Sequence, residues 1–337
     1  MNEQRTATAA RRLDHDDALT HGAVIPVLGI RVTFESNDAR VIEVVEDAFH
    51  AWHNVEHSPR LISDISARFR VHVETGEEAE PGHHAVIRTR SPDLPRTLLG
   101  SPRSVGIADA ARREALLYTT SGLVRDAQHF RCNVLEALTF GVLTRLDRMP
   151  LGAACITKGD TALLLVGSGG SGRSTLAYAA ARAGYGVLAE ERVTVQLEPR
   201  LRLWGTPGWL HLPLDAAEHF EELKDREPDL SVRGTPRIAI RTGSLDALPA
   251  MPVAQRAAVC VLAPEKDGQP ALDTLDAAAL QEAMIAGLDP SSDLFSDSIG
   301  DAIAVLAGHG GWRLRVGSDP HRALDHINAM FDALTDA

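Results

Sequence analysis

One stretch, residues 161–175 with the sequence TALLLVGSGGSGRST, constrains the fold of this chain more than any other. An apolar run leads into a glycine-rich turn, and Arg173, Ser174 and Thr175 then open a segment of helical character. A strand, a phosphate-sized loop and a helix start follow one another as a P-loop requires, because glycines let backbone N–H groups turn toward an anion and the helix N-terminus adds positive partial charge. The spacing matches G-x-x-x-x-G-K-[ST] except at Arg173, where lysine is expected.

This loop predicts a nucleotide-binding site. We expect its backbone N–H groups to cradle the β-phosphate, the Ser174 hydroxyl to bind Mg²⁺ and the Thr175 hydroxyl to lie near the α-phosphate. Arg173 brings a permanent charge to the phosphates, but its planar guanidinium is bulkier than an ammonium group. The alternative, a flexible Gly/Ser connection, is disfavoured because a strand and a helix flank the loop. The predicted nucleotide-binding residues are Gly167, Ser168, Gly169, Gly170, Ser171, Gly172, Arg173, Ser174 and Thr175.

Two adjacent carboxylates, Glu190 and Glu191, follow a second apolar run at residues 187–189. One carboxylate at a strand end near the phosphates can hold Mg²⁺ through water, and another can accept a proton from a substrate hydroxyl. We predict that Glu190 and Arg173 are catalytic and that Ser174 and Glu191 bind the metal. The alternative is an ordinary solvated acidic turn, and only the P-loop upstream favours the functional interpretation.

Charge and cysteine content limit the partners and the compartment. The 337 residues carry a formal net charge of −12, which argues against broad binding to nucleic acid or to anionic membranes. No stretch approaches the ~18 consecutive apolar residues of a spanning helix. The three cysteines, at positions 132, 155 and 260, lack metal-ligand spacing, and so few cysteines are typical of a reducing compartment. We therefore expect a cytoplasmic protein without nucleic-acid or membrane partners.

The pattern of the chain predicts three parts: a flexible tail at residues 1–22, an N-terminal α+β domain at 23–148 and a P-loop nucleotide-binding domain at 149–337. In the second part, a strand pair or one long strand starts at Ala23, and Asn37-Asp38 can cap the helix that follows. A longer helix is predicted at 126–146, before the boundary at Met149-Pro150. Further strands are expected at residues 69–73, 85–89 and 115–119.

The third part alternates apolar runs with helical patterns. Strands are predicted at residues 153–157, 187–189, 193–195, 237–241 and 257–262, and helices at 215–223, 273–288 and 320–334. Residues 204–209 predict a rigid aromatic loop whose two tryptophans pack at its base. Four arginines can supply charge to a transferring phosphoryl group, although most such residues are surface arginines: Arg192, Arg233, Arg237 and Arg241. Arg237 and Arg241 are expected to share one face of their strand.

With these motifs, residues 151–214 resemble the HPr kinase/phosphorylase-like P-loop family, in particular HPr-kinase-related proteins found beside lasso-type peptide modification genes. The resemblance is carried by LGAACITKGDTALLLVGSGGSGRSTLAYAAARAGYGVLAEERVTV and by LRLWGTPGWLHLP. It implies an α/β fold with a P-loop kinase core of the HPr kinase/phosphoenolpyruvate carboxykinase type, preceded by a smaller α+β N-terminal domain. It also implies ATP and Mg²⁺ as cofactors, phosphoryl transfer to a serine hydroxyl of a protein or peptide, and a homo-oligomer.

Three positions depart from the pattern of that family. Arg173 replaces the phosphate-binding lysine, Glu190 replaces an aspartate that acts as acid and base, and Leu151-Gly152 stand where relatives commonly place a histidine. Two functions therefore stay open: a kinase acting on a hydroxyl of a peptide, protein or small metabolite, and a degenerate kinase that binds a nucleotide or a partner without turnover. A P-loop ATPase or GTPase of another kind is a third alternative, although no N-K-x-D motif favours GTP.

Overall fold

The computed structural model describes residues 18–55, 60–74, 87–90, 96–101, 103–206, 208–230, 235–245, 252–265, 268–288 and 296–335. Three predictions lie partly or wholly outside these residues. The tail predicted at 1–22 is described only from residue 18, the strand predicted at 85–89 only from residue 87, and Arg233 is outside the described residues.

The N-terminal half forms one mixed sheet. Its strands are β1 (His21–Val27), β2 (Ile30–Ser36), β3 (Ser66–Glu74), β4 (Ile87–Arg90), β5 (Arg96–Ser101), β6 (Ser104–Asp109) and β7 (Glu114–Thr120). Their order is β1-β2-β3-β7-β6-β5-β4, with β2, β3 and β7 parallel to one another. β1 and β2 form an antiparallel hairpin, which confirms the predicted strand pair. The sequence analysis missed β5 and β6, because glycine, serine and aspartate weaken the strand signal there.

Helices cover one face of this sheet. α1 (Ala39–Phe49) begins at the predicted cap, where Asp38 accepts a hydrogen bond from the backbone N–H of Arg40. The helix predicted at 126–146 is confirmed as a continuous helical run at residues 127–143, which ends three residues early. A short helix that was not predicted, α2 (Ser121–Arg125), precedes it, and the run itself consists of α3 (Ala127–Phe130), a π-helical turn (Arg131–Leu135) and α4 (Glu136–Leu143). Asp126 ends α2 in a non-helical conformation and then caps α3 by accepting from the N–H of His129.

In the second half, the described residues form thirteen strands. They are β8 (Met149–Leu151), β9 (Ala153–Lys158), β10 (Thr161–Val166), β11 (Gly186–Ala189), β12 (Val193–Gln196), β13 (Arg202–Trp204), β14 (Trp209–Leu212), β15 (Asp229–Leu230), β16 (Pro236–Arg241), β17 (Val253–Ala254), β18 (Arg256–Ala263), β19 (Ala271–Leu275) and β20 (Gly311–Arg315). The sheets have the orders β11-β9-β10-β18-β20-β19, β17-β13-β12-β8 and β14-β16-β15. All five strands predicted for this half are confirmed, within a few residues at their ends.

Two predicted connections contain strand residues. The predicted aromatic loop at 204–209 is wrong in extent, because Trp204 ends β13 and Trp209 begins β14. Met149 and Pro150 lie in β8, which pairs with β12. At Pro150, pairing with β12 overrides the turn signal of proline, whereas Gly205, Thr206 and Gly208 lie in the connection between β13 and β14.

Among the described residues, four α-helices accompany these sheets: α5 (Arg173–Arg182), α6 (Ala277–Ala286), α7 (Ser296–Ala307) and α8 (Pro320–Thr335). α8 confirms the helix predicted at 320–334, whereas α7 was not predicted. The helix predicted at 273–288 starts later, because the residues before Asp276 belong to β19 and Asp276 itself caps α6. The short helix predicted at 215–223 consists of two 3₁₀ turns, Leu214–Glu218 and Glu221–Leu223. None of the described helices combines the length and apolar character that crossing a bilayer requires.

The two halves pack against each other around Trp204. Its side chain is fully buried in the same hydrophobic core as Phe34 and Phe69 of the seven-stranded sheet. Arg148 lies over the Trp204 ring at 5.7 Å and donates from Nε to the carbonyl of Leu28 at 2.7 Å. Burial lowers the pKa of Arg148 to about 10. The chain is a mixed α/β protein with several sheets, which confirms the fold class at that level.

Candidate functional site

The glycine-rich turn connects β10 to α5 and is closed by a hydrogen bond from the Ser171 N–H to the Ser168 carbonyl (3.1 Å). Gly172 precedes α5 with a φ of +90°, a left-handed conformation that L side chains rarely adopt. Gly167 is required for another reason: a Cβ atom there would lie 2.6 Å from Ser171 Oγ and 3.2 Å from the carbonyl oxygen of Leu262. The structure therefore contains the strand, glycine-rich turn and helix that the sequence predicts.

The turn presents backbone to solvent at the positive end of a helix. Ser168, Gly169 and Gly170 are exposed, and the N–H groups in the first turn of α5 have no acceptor within the helix. Backbone N–H groups at such a helix start, together with the helix dipole, can bind an anion. Ser171, by contrast, is only 3% exposed, and its hydroxyl has no hydrogen-bond partner among the described residues.

Sheet topology brings three distant segments to this edge. β10, β11, β18 and β20 run in one direction, and β9 runs in the opposite direction between β10 and β11. The carboxyl ends of β10 and β11 therefore lie where β9 begins. The glycine-rich turn, Glu190 after β11 and Gly152 before β9 meet there, at the edge where open α/β sheets bind ligands.

The carboxylate of Glu190 contacts the first turn of α5. Ser174 Oγ donates a hydrogen bond to Glu190 Oε1 at 2.9 Å, and only 6% of the Glu190 side chain is exposed. Of the two adjacent carboxylates, Glu190 forms the hydrogen bond with Ser174, whereas Glu191 is exposed. The structure thus joins the predicted proton acceptor to the predicted metal ligand Ser174 and leaves Glu191 at the surface.

His211 is a site residue that the sequence analysis missed. Its Nδ1 lies 3.1 Å from Glu190 Oε2, across 21 residues of sequence. Because an ionised carboxylate only accepts hydrogen bonds, His211 Nδ1 carries the proton and donates it when Glu190 is ionised. Leu210 and Leu212 are buried on the inner face of β14, so the alternation of this strand turns His211 outward. This alternation was the one local signal; nothing in the sequence links the residue to Glu190.

Arg173 contacts the segment before β9. Its Nη1 donates to the carbonyl of Gly152 at 3.1 Å, and a Cβ atom on Gly152 would lie 4.0 Å from that nitrogen. Two of the departures from the family pattern, Arg173 and Gly152, are therefore neighbours in space, and the third, Glu190, lies at the same sheet edge.

The remaining predicted residues lie around this centre. Thr175 is half-buried in the first turn of α5, and Arg192 is exposed beside Glu191. Arg237 and Arg241 share the outer face of β16, as predicted, since the intervening Ile238 and Ile240 are buried. The Arg241 guanidinium lies over the ring of Trp209 at 4.8 Å.

The buried cysteines belong to the core rather than to this site. Burial raises the pKa of the Cys155 thiol far above its usual range and that of Cys260 to about 12. Thiols held protonated in this way are poor nucleophiles and poor metal ligands. In the part of the chain that the structure describes, no three His, Cys, Asp or Glu side chains cluster as a metal site.

The site consists of the nearly buried Glu190 carboxylate beside a helix start that can bind an anion. The Ser174 hydroxyl contacts one carboxylate oxygen, and the His211 imidazole contacts the other. Such a carboxylate can accept a proton, or can bind a divalent cation together with the Ser174 hydroxyl. The chain matches no protein-family model and no curated protein.

Proposed function

We propose that this protein is an ATP- and Mg²⁺-dependent kinase of the HPr kinase/phosphoenolpyruvate carboxykinase type, which phosphorylates a hydroxyl, in the first instance serine, of a peptide, protein or small metabolite. The hydrogen bond between Ser174 Oγ and Glu190 Oε1 carries the proposal (2.9 Å). A glycine-rich turn alone accounts for phosphate binding. A nearly buried carboxylate in contact with the hydroxyl of that turn adds a group that can take part in the transfer.

The residues present fit both ligands. Exposed backbone at residues 168–170, followed directly by a helix N-terminus, suits the phosphates of a nucleotide. Mg²⁺ prefers oxygen donors, and it is usually held by one or two carboxylates plus substrate phosphates rather than by a closed protein cage. Ser174 and Glu190 supply oxygen donors, and exposed Glu191 is available to hold the ion through water.

In this proposal Glu190 accepts the proton of the acceptor hydroxyl, and Ser174 holds the metal. His211 fixes the orientation of the Glu190 carboxylate through Oε2, so that Oε1 stays directed at the first turn of α5. When bound, the nucleotide supplies the phosphoryl group, and Mg²⁺ neutralises the charge on its phosphates. Arg173 adds positive charge once its guanidinium turns from Gly152 toward the phosphates.

The degenerate kinase is a second candidate, and the contact between Arg173 and Gly152 favours it. If the guanidinium stays hydrogen-bonded to the carbonyl of Gly152 (3.1 Å), its positive charge remains beside the segment before β9 and does not contact a transferring phosphoryl group. A protein of this kind would bind the nucleotide on the backbone of the turn and would not turn it over.

The deciding experiment measures melting temperature and phosphate release together, with ATP, ADP and GTP in the presence of Mg²⁺. For a kinase, we expect stabilisation by the adenine nucleotides and turnover that Glu190→Gln lowers about 10²- to 10⁴-fold. Glu191→Gln is the matched variant, because it removes the same charge one residue away. If Glu191→Gln loses more activity than Glu190→Gln, the assignment of the proton transfer to Glu190 is wrong.

Arg173→Lys separates the two candidates. If arginine is a handicap, restoring lysine raises the nucleotide affinity or the turnover rate. Stabilisation by nucleotide without turnover in either form supports the binding module. If no nucleotide changes the melting temperature of wild type or Arg173→Lys, both candidates are excluded.

A further inference from the structure

The outer face of the three-stranded sheet begins at the candidate active site and carries positive charge. Trp209 and His211 lie on this face of β14, and their partners in the register of β16 are Arg241 and Ala239. The opposite face is buried in the core. Because His211 contacts Glu190 at 3.1 Å, the outer face is continuous with the carboxylate proposed to accept the proton.

Arg241 is held in place on this face by an aromatic ring. Its guanidinium lies over Trp209 at 4.8 Å, a stacking that fixes an otherwise flexible side chain. Arg241 is exposed, and no carboxylate of the described residues forms a salt bridge with it. Arg237, on the same face of β16, is less exposed than Arg241. Arg241 is therefore the cation best placed to receive an external anion.

The spacing on the sheet matches that of an extended peptide. His211 is directly opposite Ala239, so Arg237 and Arg241 are its diagonal neighbours across the strand pair, at about 7–8 Å. Of the two, Arg241 is the one that stacks on Trp209. Alternate residues of an extended chain point to the same side and are about 6.6 Å apart. A peptide whose serine lies beside Glu190 and His211 therefore brings the side chain two residues away to Arg241.

We propose that the outer face of β14 and β16 is the acceptor site, and that it takes an extended peptide segment with an acidic residue two positions from the phosphorylated serine. This inference rests on the proposed kinase function and names its substrate class. It is not a consequence of overall charge, because the protein as a whole carries −12 and repels acidic peptides at long range. The attraction is local, and Arg241 supplies it.

The test uses short labelled peptides with a Gly/Ala background. Each carries alanine in place of the serine, and either Glu or its neutral counterpart Gln two residues before or after it. Fluorescence anisotropy then gives the affinity of the full-length protein for each peptide. We expect the protein to bind the Glu peptide more tightly than its Gln counterpart at one of the two positions, by about three- to fivefold, the range of a partly exposed ion pair.

Three variants locate the effect. Arg241→Ala abolishes the Glu preference, and Arg241→Glu reverses it in favour of a Lys peptide at the same position. Arg256→Ala is the control, because this exposed arginine pairs with Asp160 at the opposite edge of the six-stranded sheet and its loss leaves the preference intact. The inference is overturned if wild-type protein binds Glu and Gln peptides equally at both positions, if Arg241→Ala keeps the preference, or if no peptide binds at millimolar concentration.

Serine-containing versions of the same peptides distinguish this inference from the proposed function. Transfer of labelled phosphate without a Glu preference overturns the acceptor site and leaves the kinase in place. A Glu preference that depends on Arg241 but comes without phosphate transfer supports the peptide site and overturns the kinase.

Discussion

The glycines of the P-loop provide a stability test in which three substitutions of the same size have three different outcomes. Gly172→Ala places a side chain at a φ of +90°, and the nearest atom to its Cβ is 3.9 Å away. Its cost is therefore backbone strain alone, about 1–2 kcal/mol. Gly169→Ala has neither a left-handed φ nor a neighbour within 4 Å, so we expect a change within about 0.5 kcal/mol.

Gly167→Ala fails for a steric reason. Its Cβ would lie 2.6 Å from Ser171 Oγ, 3.0 Å from Ser171 Cβ and 3.2 Å from the Leu262 carbonyl oxygen, and an overpacked site of this kind costs about 1–3 kcal/mol. Because the hydroxyl is the nearer obstacle, the substitution should cost less in a Ser171→Ala background. The coupling between the two sites then measures the contact directly.

The assay is urea unfolding followed by far-UV circular dichroism, without nucleotide. Wild type, the three single variants, Ser171→Ala and the double variant are compared at one protein concentration. The reasoning is refuted if Gly169→Ala is as destabilising as Gly172→Ala, because the loop would then not require a left-handed residue at position 172. Additive effects of Gly167→Ala and Ser171→Ala would refute the steric argument.

Three further predictions concern other groups. His211→Ala removes a partner of the nearly buried Glu190 carboxylate and should lower the free energy of unfolding in urea by about 1 kcal/mol. His211→Asn keeps a hydrogen-bond donor and should lower it less. Equal losses in the two variants would contradict the contact. Ser171→Ala should leave the free energy of unfolding unchanged or higher, because it deletes a buried hydroxyl that has no partner among the described residues; a clear loss of stability would contradict this. Asp38→Ala should cost about 1 kcal/mol at pH 7 as a lost helix cap. A hydrogen bond from the Arg40 side chain holds the pKa of Asp38 below its usual value, so this contribution is present above the unfolded pKa of ~3.9 and is lost as the pH falls through the folded pKa; a pH-independent difference from wild type would refute the assignment.

Where the sequence predicted structure well, the signal was local. The strand β10, the turn and the start of α5 are adjacent in the chain, and each imposes its own composition: apolar residues, glycines at special backbone positions and a helix-forming run. The same holds for α1, whose cap and buried face are both visible in the sequence. Local signals of this kind do not depend on the partner against which the element packs.

Predictions failed where a distant partner decided the local structure. Trp204 lies in β13 because it pairs with Val253 and Thr194, although its neighbours Gly205 and Pro207 are typical of a loop. The sequence analysis also missed α2 and the π-helical turn at 131–135 within the helix that it placed at 126–146. Hydrophobic period alone does not reveal such interruptions.

For the candidate site, the sequence by itself determined the glycine-rich turn, the hydroxyl of Ser174 and a carboxylate pair after the next strand. Only the tertiary structure decided which carboxylate reaches that hydroxyl, because the direction of β11 and the burial of Glu190 depend on the whole six-stranded sheet. It also added His211 and placed Gly152 beside Arg173. His211 lies in β14, Gly152 in the connection before β9, Arg173 at the start of α5 and Glu190 just after β11. Contacts between them follow from how the sheets and the helix pack, which no local pattern in the chain encodes.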